Sequence, residues 1–291
     1  MALVIETTLP VVPPRPEEGH KGTFGKSLIV AGSRGMSGAA CLSGLGALRG
    51  GSGLVQVAVP EGILSVVASV EPSYLTIGLP EDDHGRISRK AAADILPLAE
   101  KCSALAIGPG WGTSADLVEL ALLLYTTAPV PMVVDADALN ALSRSPGEWP
   151  QAPQDVPRVV TPHPGEFSRM LGIDTKTVQA DRETLAAEFA ARQGVIVLLK
   201  GHRTVITDGT RAAINSTGNS GMATGGTGDV LTGMITALLS QGLKAFDAAR
   251  LGAYLHGLAG DLAAADFGKP GLIASDLPRY LGKAWRQVNG E

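Results

Sequence analysis

The chain has 291 residues, 45% of them hydrophobic and 18% charged, which fits a globular protein with a sizeable core and excludes a disordered one. A net charge of −4 and an aromatic content of 4% leave no basic footprint and no stacking surface for nucleic acid. Two cysteines, Cys41 and Cys102, are too few for a disulfide framework and read as reduced core residues. No run of roughly 18 apolar residues offers a membrane span, and the start MALVIETTLPVVPPRP lacks a basic n-region, so a cytoplasmic location is expected.

In chain order, flat apolar runs predict buried strands at 27–31 (SLIVA), 54–59, 104–107, 132–134, 158–160 and 195–199. They lack polar alternation, as parallel strands covered on both faces do. Helical stretches intervene at 38–48, 62–70, 89–100, 115–125 and 184–193. This alternation predicts a layered α/β fold. Segments 203–207 and 211–215 flank Asp208-Gly209 as a hairpin. Helices follow at 229–239, 245–265 and 277–288. The Pro-rich stretch Ser145–Pro157 reads as a surface loop. With no linker and no repeat, 1–291 is expected to be a single domain, 1–19 forming an N-terminal extension. The 37 glycines cluster at the ends of apolar runs, where a ligand-binding backbone needs them.

Two glycine patterns lead nowhere. HKGTFGKS at 20–27 has His20 where a phosphate-binding P-loop needs Gly, and a strand follows where that loop needs a helix. GLGALRG at 44–50 has Arg49 in place of the third Gly of a dinucleotide fingerprint and lies inside a helix. The five histidines show no H-x-x-x-H spacing, so a zinc site is not expected.

The segment 219–233, NSGMATGGTGDVLTG, joins a Gly-rich loop to an apolar helix expected to start at Asp229. Backbone N–H groups of Gly225 to Gly228 can converge on an anion, and the helix adds its positive end. Asp229 then faces an attacking hydroxyl as general base. An unperturbed Asp is already ionised at neutral pH, so the role needs proximity more than a raised pKa. The bland alternative is an Asp that only caps the helix.

GGTGD before an apolar helix resembles the anion hole and catalytic base of the ribokinase-like kinases. Further segments narrow the resemblance: HKGTFGKSLIVAGS (20–33), MSGAA (36–40), IGPGWG (107–112), VVDADALNAL (133–142), TPHPGE (161–166) and KGHRT (200–204). In this order they resemble the ADP-dependent (S)-NAD(P)H-hydrate dehydratases, from about residue 20 to about residue 265. The resemblance implies a ribokinase-like three-layer αβα sandwich with a mostly parallel central sheet. It implies that ADP phosphorylates the hydroxyl of hydrated NADH or NADPH (NADHX, NADPHX), and that phosphate then leaves. Hydroxide is a poor leaving group and phosphate a good one, so the enzyme has mainly to position and stabilise phosphoryl transfer.

Carried over by motif, Asp229 is the base, and Gly226, Thr227 and Gly228 form the anion hole. Ala39, Ala40, Gly110, His163 and Asp229 meet the hydrate. Lys200, Gly201, His202, Arg203, Thr204, Asn219 and Gly228 meet the nucleotide. Asp135 and Glu166, with Asn140, are candidates for Mg²⁺. Asn215 and Asn219 are expected to order the loop before the anion hole. Relatives often carry Pro where this chain has Ser37 and Ser220, loop positions that supply no chemistry. They often carry a fused epimerase domain too; here cooperation with a separate NAD(P)HX epimerase is expected. A homotetramer is implied, and apolar faces at 115–124 and 248–262 suggest its contacts. The competing reading, a hydroxyethylthiazole-type vitamin-precursor kinase, shares the Gly-rich loop and Asp but has no reason to combine TPHPGE with KGHRT.

Overall fold

The flat apolar runs become the middle of one ten-stranded sheet in a computed structural model that describes residues 3–144 and 149–290. Its strands are β1 (Val4–Ile5), β2 (Lys26–Val30), β3 (Leu54–Pro60), β4 (Leu75–Leu79), β5 (Ala104–Ile107), β6 (Met132–Val134), β7 (Arg158–Val160), β8 (Ile196–Leu199), β9 (Val205–Thr207) and β10 (Arg211–Ile214). They lie in the order β1-β10-β9-β8-β7-β6-β5-β2-β3-β4. Neighbours are parallel except at β8–β9 and β9–β10, where the expected hairpin turns back.

Side-chain alternation splits each strand between two cores. Ile29 and Val133 point into one, Leu28, Val30, Met132 and Val134 into the other. The first core is closed by α1 (Ser37–Arg49), α9 (Thr227–Ser240), α10 (Ala245–Phe267) and α11 (Leu277–Asn289). The second is closed chiefly by α3 (Ala92–Ala99), α4 (Ala115–Thr127), α5 (Ala136–Leu142), α6 (Pro164–Leu171), α7 (Thr175–Ala180) and α8 (Arg182–Gln193). This is the three-layer αβα arrangement. The short α2 (Leu64–Ala68) sits by β4 at one edge. Helices α1 and α9 approach closely because they meet on glycine: a Cβ on Gly233 would lie 1.9 Å from the Ser43 carbonyl oxygen, and one on Gly46 would lie 2.3 Å from that of Val230.

The structure departs from the sequence reading in several places. Strands β1 and β4 and helices α5 to α7 were not expected. Strand β1 ties the N-terminal extension into the sheet edge. The helix expected at 62–70 opens with a 3₁₀ turn, Glu61–Ile63, and ends at Ala68. The one expected at 89–100 opens with a 3₁₀ turn capped by the Ser88 hydroxyl, which accepts from the Lys90 N–H. The apolar faces expected to be left for oligomer contacts are used inside the chain. Leu117, Leu120, Ala121 and Leu124 are core residues, as are Ala248, Ala249, Leu251, Leu255 and Ala259. Of the loop expected at Ser145–Pro157, residues 145–148 lie outside the described residues, and 149–157 form neither helix nor strand. Both cysteines are buried and free. Among the described residues no helix is long and apolar enough to cross a membrane.

Candidate active site

Chemistry-bearing residues gather where β6, β7 and β8 end, with α9 aimed at the same place. Gly226 is the N-cap of α9 and holds φ +92°, a backbone conformation that an L side chain rarely adopts. The helix therefore begins at Thr227, and Asp229 is its third residue, not its cap. The N–H groups of Asp229 and Val230 donate to the Gly226 carbonyl, 3.1 and 3.3 Å. Those of Thr227 and Gly228 have no acceptor among the described residues, as the first N–H groups of a helix do not. The Thr227 hydroxyl is buried without a partner. Two N–H groups, one hydroxyl and a helix dipole thus offer themselves to an anion.

A four-member charge cluster abuts this turn. The Lys200 ammonium, just beyond β8, donates to Asp135 Oδ1 at 2.7 Å and stands 3.8 Å from Glu166 Oε2. A Cβ on Gly228 would come 3.4 Å from Lys200 Nζ and 3.8 Å from Asp135 Oδ2, so the ammonium and the carboxylate lie directly against the anion hole. Asp135, 1% exposed, takes a second bond at Oδ2 from the Thr232 hydroxyl, 2.7 Å. Burial pushes the Lys200 pKa down, but Asp135 and Glu166 outweigh it and leave the pKa above its ordinary value. Glu166 is raised, first by burial and then by Asp135. Asp229 is pushed up to about 7, mostly by burial, then by the charge of Asp135, with Lys200 opposing. The expectation of an unperturbed Asp229 is thereby corrected. The carboxyl titrates near neutrality, where a base keeps both a usable ionised fraction and proton affinity.

Asp135 and Glu166, the candidates for Mg²⁺, do not fit a divalent cation here. The Lys200 ammonium already stands between them, and Asn140 Oδ1 accepts from Arg169 Nε at 2.8 Å. Among the described residues no three His, Cys, Asp or Glu side chains gather as a metal cage.

The remaining residues named from sequence surround this cluster unequally. His163 caps α6: its Nδ1 accepts from the N–H groups of Gly165 and Glu166, 2.9 and 3.3 Å, while Glu166 Oε2 accepts from the His163 N–H at 2.7 Å. This capping box presents a half-exposed imidazole edge beside Lys200, and burial and the Lys200 charge lower its pKa. Residues Gly201, His202, Arg203 and Thr204 form the turn from β8 to β9. Arg182 holds that turn, donating to the carbonyls of His202 (2.7 Å), Leu199 (2.9 Å) and Lys200 (3.1 Å). Ala39 and Gly110 are neighbours, since a Cβ on Gly110 would lie 2.7 Å from that of Ala39. Ala40 is 0% exposed and packs into the core, so of the two alanines only Ala39 is open to a ligand.

Helix α10 contributes groups that no motif announced. Asp261 accepts from the Gly218 N–H at 2.8 Å and the Asn219 amide at 2.9 Å. Asn215 donates to the Thr217 and Ala253 carbonyls. His256 reaches the Thr227 carbonyl at 2.9 Å. The loop before the anion hole is thus lashed to α10 along its length. Only the polar Asn215 and Asn219 gave warning; His256 and Asp261 looked like ordinary members of an amphipathic helix.

A family described as NAD(P)H-hydrate dehydratase matches residues 27–283. A bifunctional NAD(P)H-hydrate repair enzyme of Moorella thermoacetica is 45% identical over 282 residues, covering 96% of this chain and 53% of that one. An ADP-dependent (S)-NAD(P)H-hydrate dehydratase of Bacillus subtilis is 37% identical over 278 residues, covering 95% and 94%. A crystal structure of the ADP/ATP-dependent NAD(P)H-hydrate dehydratase from Bacillus subtilis, co-crystallized with ATP/Mg²⁺, superposes with a TM-score of 0.83 at 35% identity, over 95% of this chain and 94% of that one. The chain spans about half the length of the bifunctional relatives it matches.

Proposed function

The chain belongs to the NAD(P)H-hydrate dehydratase family, and from that premise we propose that it dehydrates (6S)-NADHX and NADPHX to NADH and NADPH, converting ADP to AMP and phosphate. One observation carries the reading: a half-buried carboxyl, Asp229, stands in the first turn of a helix whose first N–H groups are unpartnered and abut an ammonium. That constellation suits an alcohol attacking a phosphoryl group.

The hydrate hydroxyl attacks the β-phosphorus of ADP while Asp229 takes its proton. The bond to the AMP oxygen breaks and AMP leaves. Gly226, Thr227, Gly228 and Lys200 hold the equatorial oxygens as charge gathers there. Phosphate then departs from the ring carbon, a proton leaves the adjacent carbon, and the dihydronicotinamide double bond returns. Lys200 to Thr204, with Asn219 and Gly228, take the nucleotide. Ala39, Gly110 and His163 take the hydrate. Any Mg²⁺ would belong to the nucleotide's own oxygens, because Asp135 and Glu166 are committed to Lys200. A single ribokinase-like domain over 1–291, a homotetramer, a cytoplasmic setting and cooperation with an NAD(P)HX epimerase complete the proposal. Light scattering tests the tetramer, and a monomer rejects it.

The test is the return of dihydronicotinamide absorbance from NADH hydrate, with ADP, with ATP and with no nucleotide. Recovery with ADP supports reaction and donor together. Recovery with ATP alone keeps the reaction and changes the donor. No recovery with either, from folded protein that binds AMP, rejects the dehydratase in favour of a kinase for a small alcohol.

A further inference from the structure

His256 lies in the middle of α10, outside every motif of the sequence, yet it touches the anion hole from behind. It is buried, and its Nε2 lies 2.9 Å from the Thr227 carbonyl oxygen. A carbonyl only accepts, so Nε2 carries the proton. Burial pushes the pKa of the ring down to about 4, with the nearby Lys200 charge acting the same way, so the ring is neutral and this tautomer stands throughout the neutral range.

The consequence follows from the peptide bond. The Thr227 carbonyl and the Gly228 N–H belong to one planar, trans unit and point in opposite directions. A donor that fixes the carbonyl on one side fixes the aim of the N–H on the other. That N–H is one of the two unpartnered donors of the site. It belongs to a glycine in the first turn of a helix, where the backbone is least restrained. Gly228 lies against the Lys200 ammonium and has no β-carbon of its own to stiffen the turn.

We propose that His256 is a positioning residue for phosphoryl transfer: from α10 its Nε2–H anchors the Thr227 carbonyl and, through the rigid peptide, aims the Gly228 N–H at the transferring phosphoryl group. The kinetic part rests on the dehydratase reading; the hydrogen bond and its effect on the Gly228 amide do not.

The test compares the full-length chain with His256→Leu, which keeps bulk and loses the donor, and His256→Gln, whose amide nitrogen falls near the place of Nε2. AMP alone is the binding probe, because it reports the nucleotide turn without carrying the phosphoryl group that is transferred. The leucine variant is expected to lose kcat by about tenfold or more, as expected for a misaimed oxyanion donor. Its KM for the hydrate and Kd for AMP should stay within about twofold, and the glutamine variant should recover most of the rate. Unchanged kcat in the leucine variant overturns the proposal. So does an equal loss in both variants, or an AMP affinity that falls in step with kcat. Two nitrogen-15 NMR readouts stand apart from turnover. The wild-type ring should be protonated at Nε2, and the Gly228 amide signal should move in the leucine variant and return in the glutamine variant. A ring protonated at Nδ1, or an unmoved amide, sinks the proposal even if neither variant yields kinetics. Wild-type protein that leaves NADH hydrate unconverted sinks the dehydratase reading alone.

Discussion

Two cations, Arg158 buried and Lys200 half-buried, sit at opposite ends of neighbouring strands, and they are built differently. Arg158, at the start of β7, is 0% exposed and pairs with no carboxylate among the described residues. Its guanidinium donates to the carbonyls of Tyr125 (2.9 Å from Nη2), Ala128 (2.8 Å) and Val130 (3.0 Å). Tyr125 and Ala128 lie at the carboxyl end of α4, whose last carbonyls lack helical partners and carry the negative end of the dipole. Burial lowers the Arg158 pKa to about 10, which still leaves it charged at neutral pH. Lys200, beyond the end of β8, is 21% exposed and faces carboxylates. A planar fork suits carbonyls that never move, and a rotatable point charge suits a phosphate that does. The same sheet thus uses one cation to close its structure and another to meet a ligand.

The largest expected effect is on the structural side. Arg158→Met should cost about 3–5 kcal/mol, because three buried carbonyls lose their donor. Thermal unfolding should show Tm lower by about 10 °C, with kcat of the folded fraction unchanged. A Tm near wild type would break the contrast.

Lys200→Ala should act the other way round. Its KM for ADP should rise about tenfold, more than its KM for the hydrate. The reverse order in steady-state kinetics overturns the nucleotide placement. Its stability should depend on pH. Burial already raises Glu166 and Asp229 against the opposing charge of Lys200, so without the ammonium both hold protons more tightly still in the folded chain than in the unfolded one. Stability is then lost as pH rises, so the Tm deficit should be small near pH 5.5 and grow toward pH 8.

Asp229 carries the same linkage in the wild-type chain. Its folded pKa of about 7 lies above the ordinary 3.8. Its contribution to stability is full below about pH 4 and is lost as pH rises through about 7. As a base it works only when ionised, so kcat/KM should fall as pH drops below about 7, approaching tenfold per unit. Asp229→Asn should therefore lose at least about 10³-fold in kcat while its Tm at pH 8 rises by about 3 °C. An unaltered Tm would mean that the carboxyl is less buried than the geometry makes it.

The sequence made one of these two cations visible. Lys200 stands in KGHRT, beside motifs whose glycines and acids only a ligand site explains, and the parallel strands below it were plain from their flat apolarity. Arg158 opens an apolar run and looked like a strand residue, because its partners are backbone carbonyls that no side-chain pattern encodes. The same holds for Arg182 under the β8–β9 turn and for His256 and Asp261 on α10. Each acts on main-chain groups distant in sequence. Strand β4 was missed because an edge strand is half-exposed and its LTIGL carries a glycine. Helices α5 to α7 were missed because 6 to 8 residues give too few turns for a clear period. The Lys200 ammonium between Asp135 and Glu166 was hidden for a related reason. Two acids at strand ends look alike in sequence whether a metal or an ammonium lies between them.

The smallest expected effect tests how firmly Lys200 is held. Asp135 has two partners, Lys200 on Oδ1 and the Thr232 hydroxyl on Oδ2. Thr232→Val keeps the shape and removes one of the two. The carboxylate keeps its ammonium but gains freedom to rotate, so the ammonium's place at Gly228 loosens by one bond. A loss of about 1 kcal/mol in stability and a few-fold in kcat is expected. One turn further along α9, Thr236 supplies the control. Its hydroxyl is equally buried but donates to the Thr232 carbonyl at 2.7 Å and touches no carboxylate. Thr236→Val should leave kcat unchanged, since a helix carbonyl spared a second donor keeps its own. If both valines lower kcat alike, the effect belongs to the packing of α9 and Asp135 has no part in it. If only Thr232→Val does, the lysine at the active end of the sheet depends on a chain of contacts that Arg158, bound to backbone, does not need.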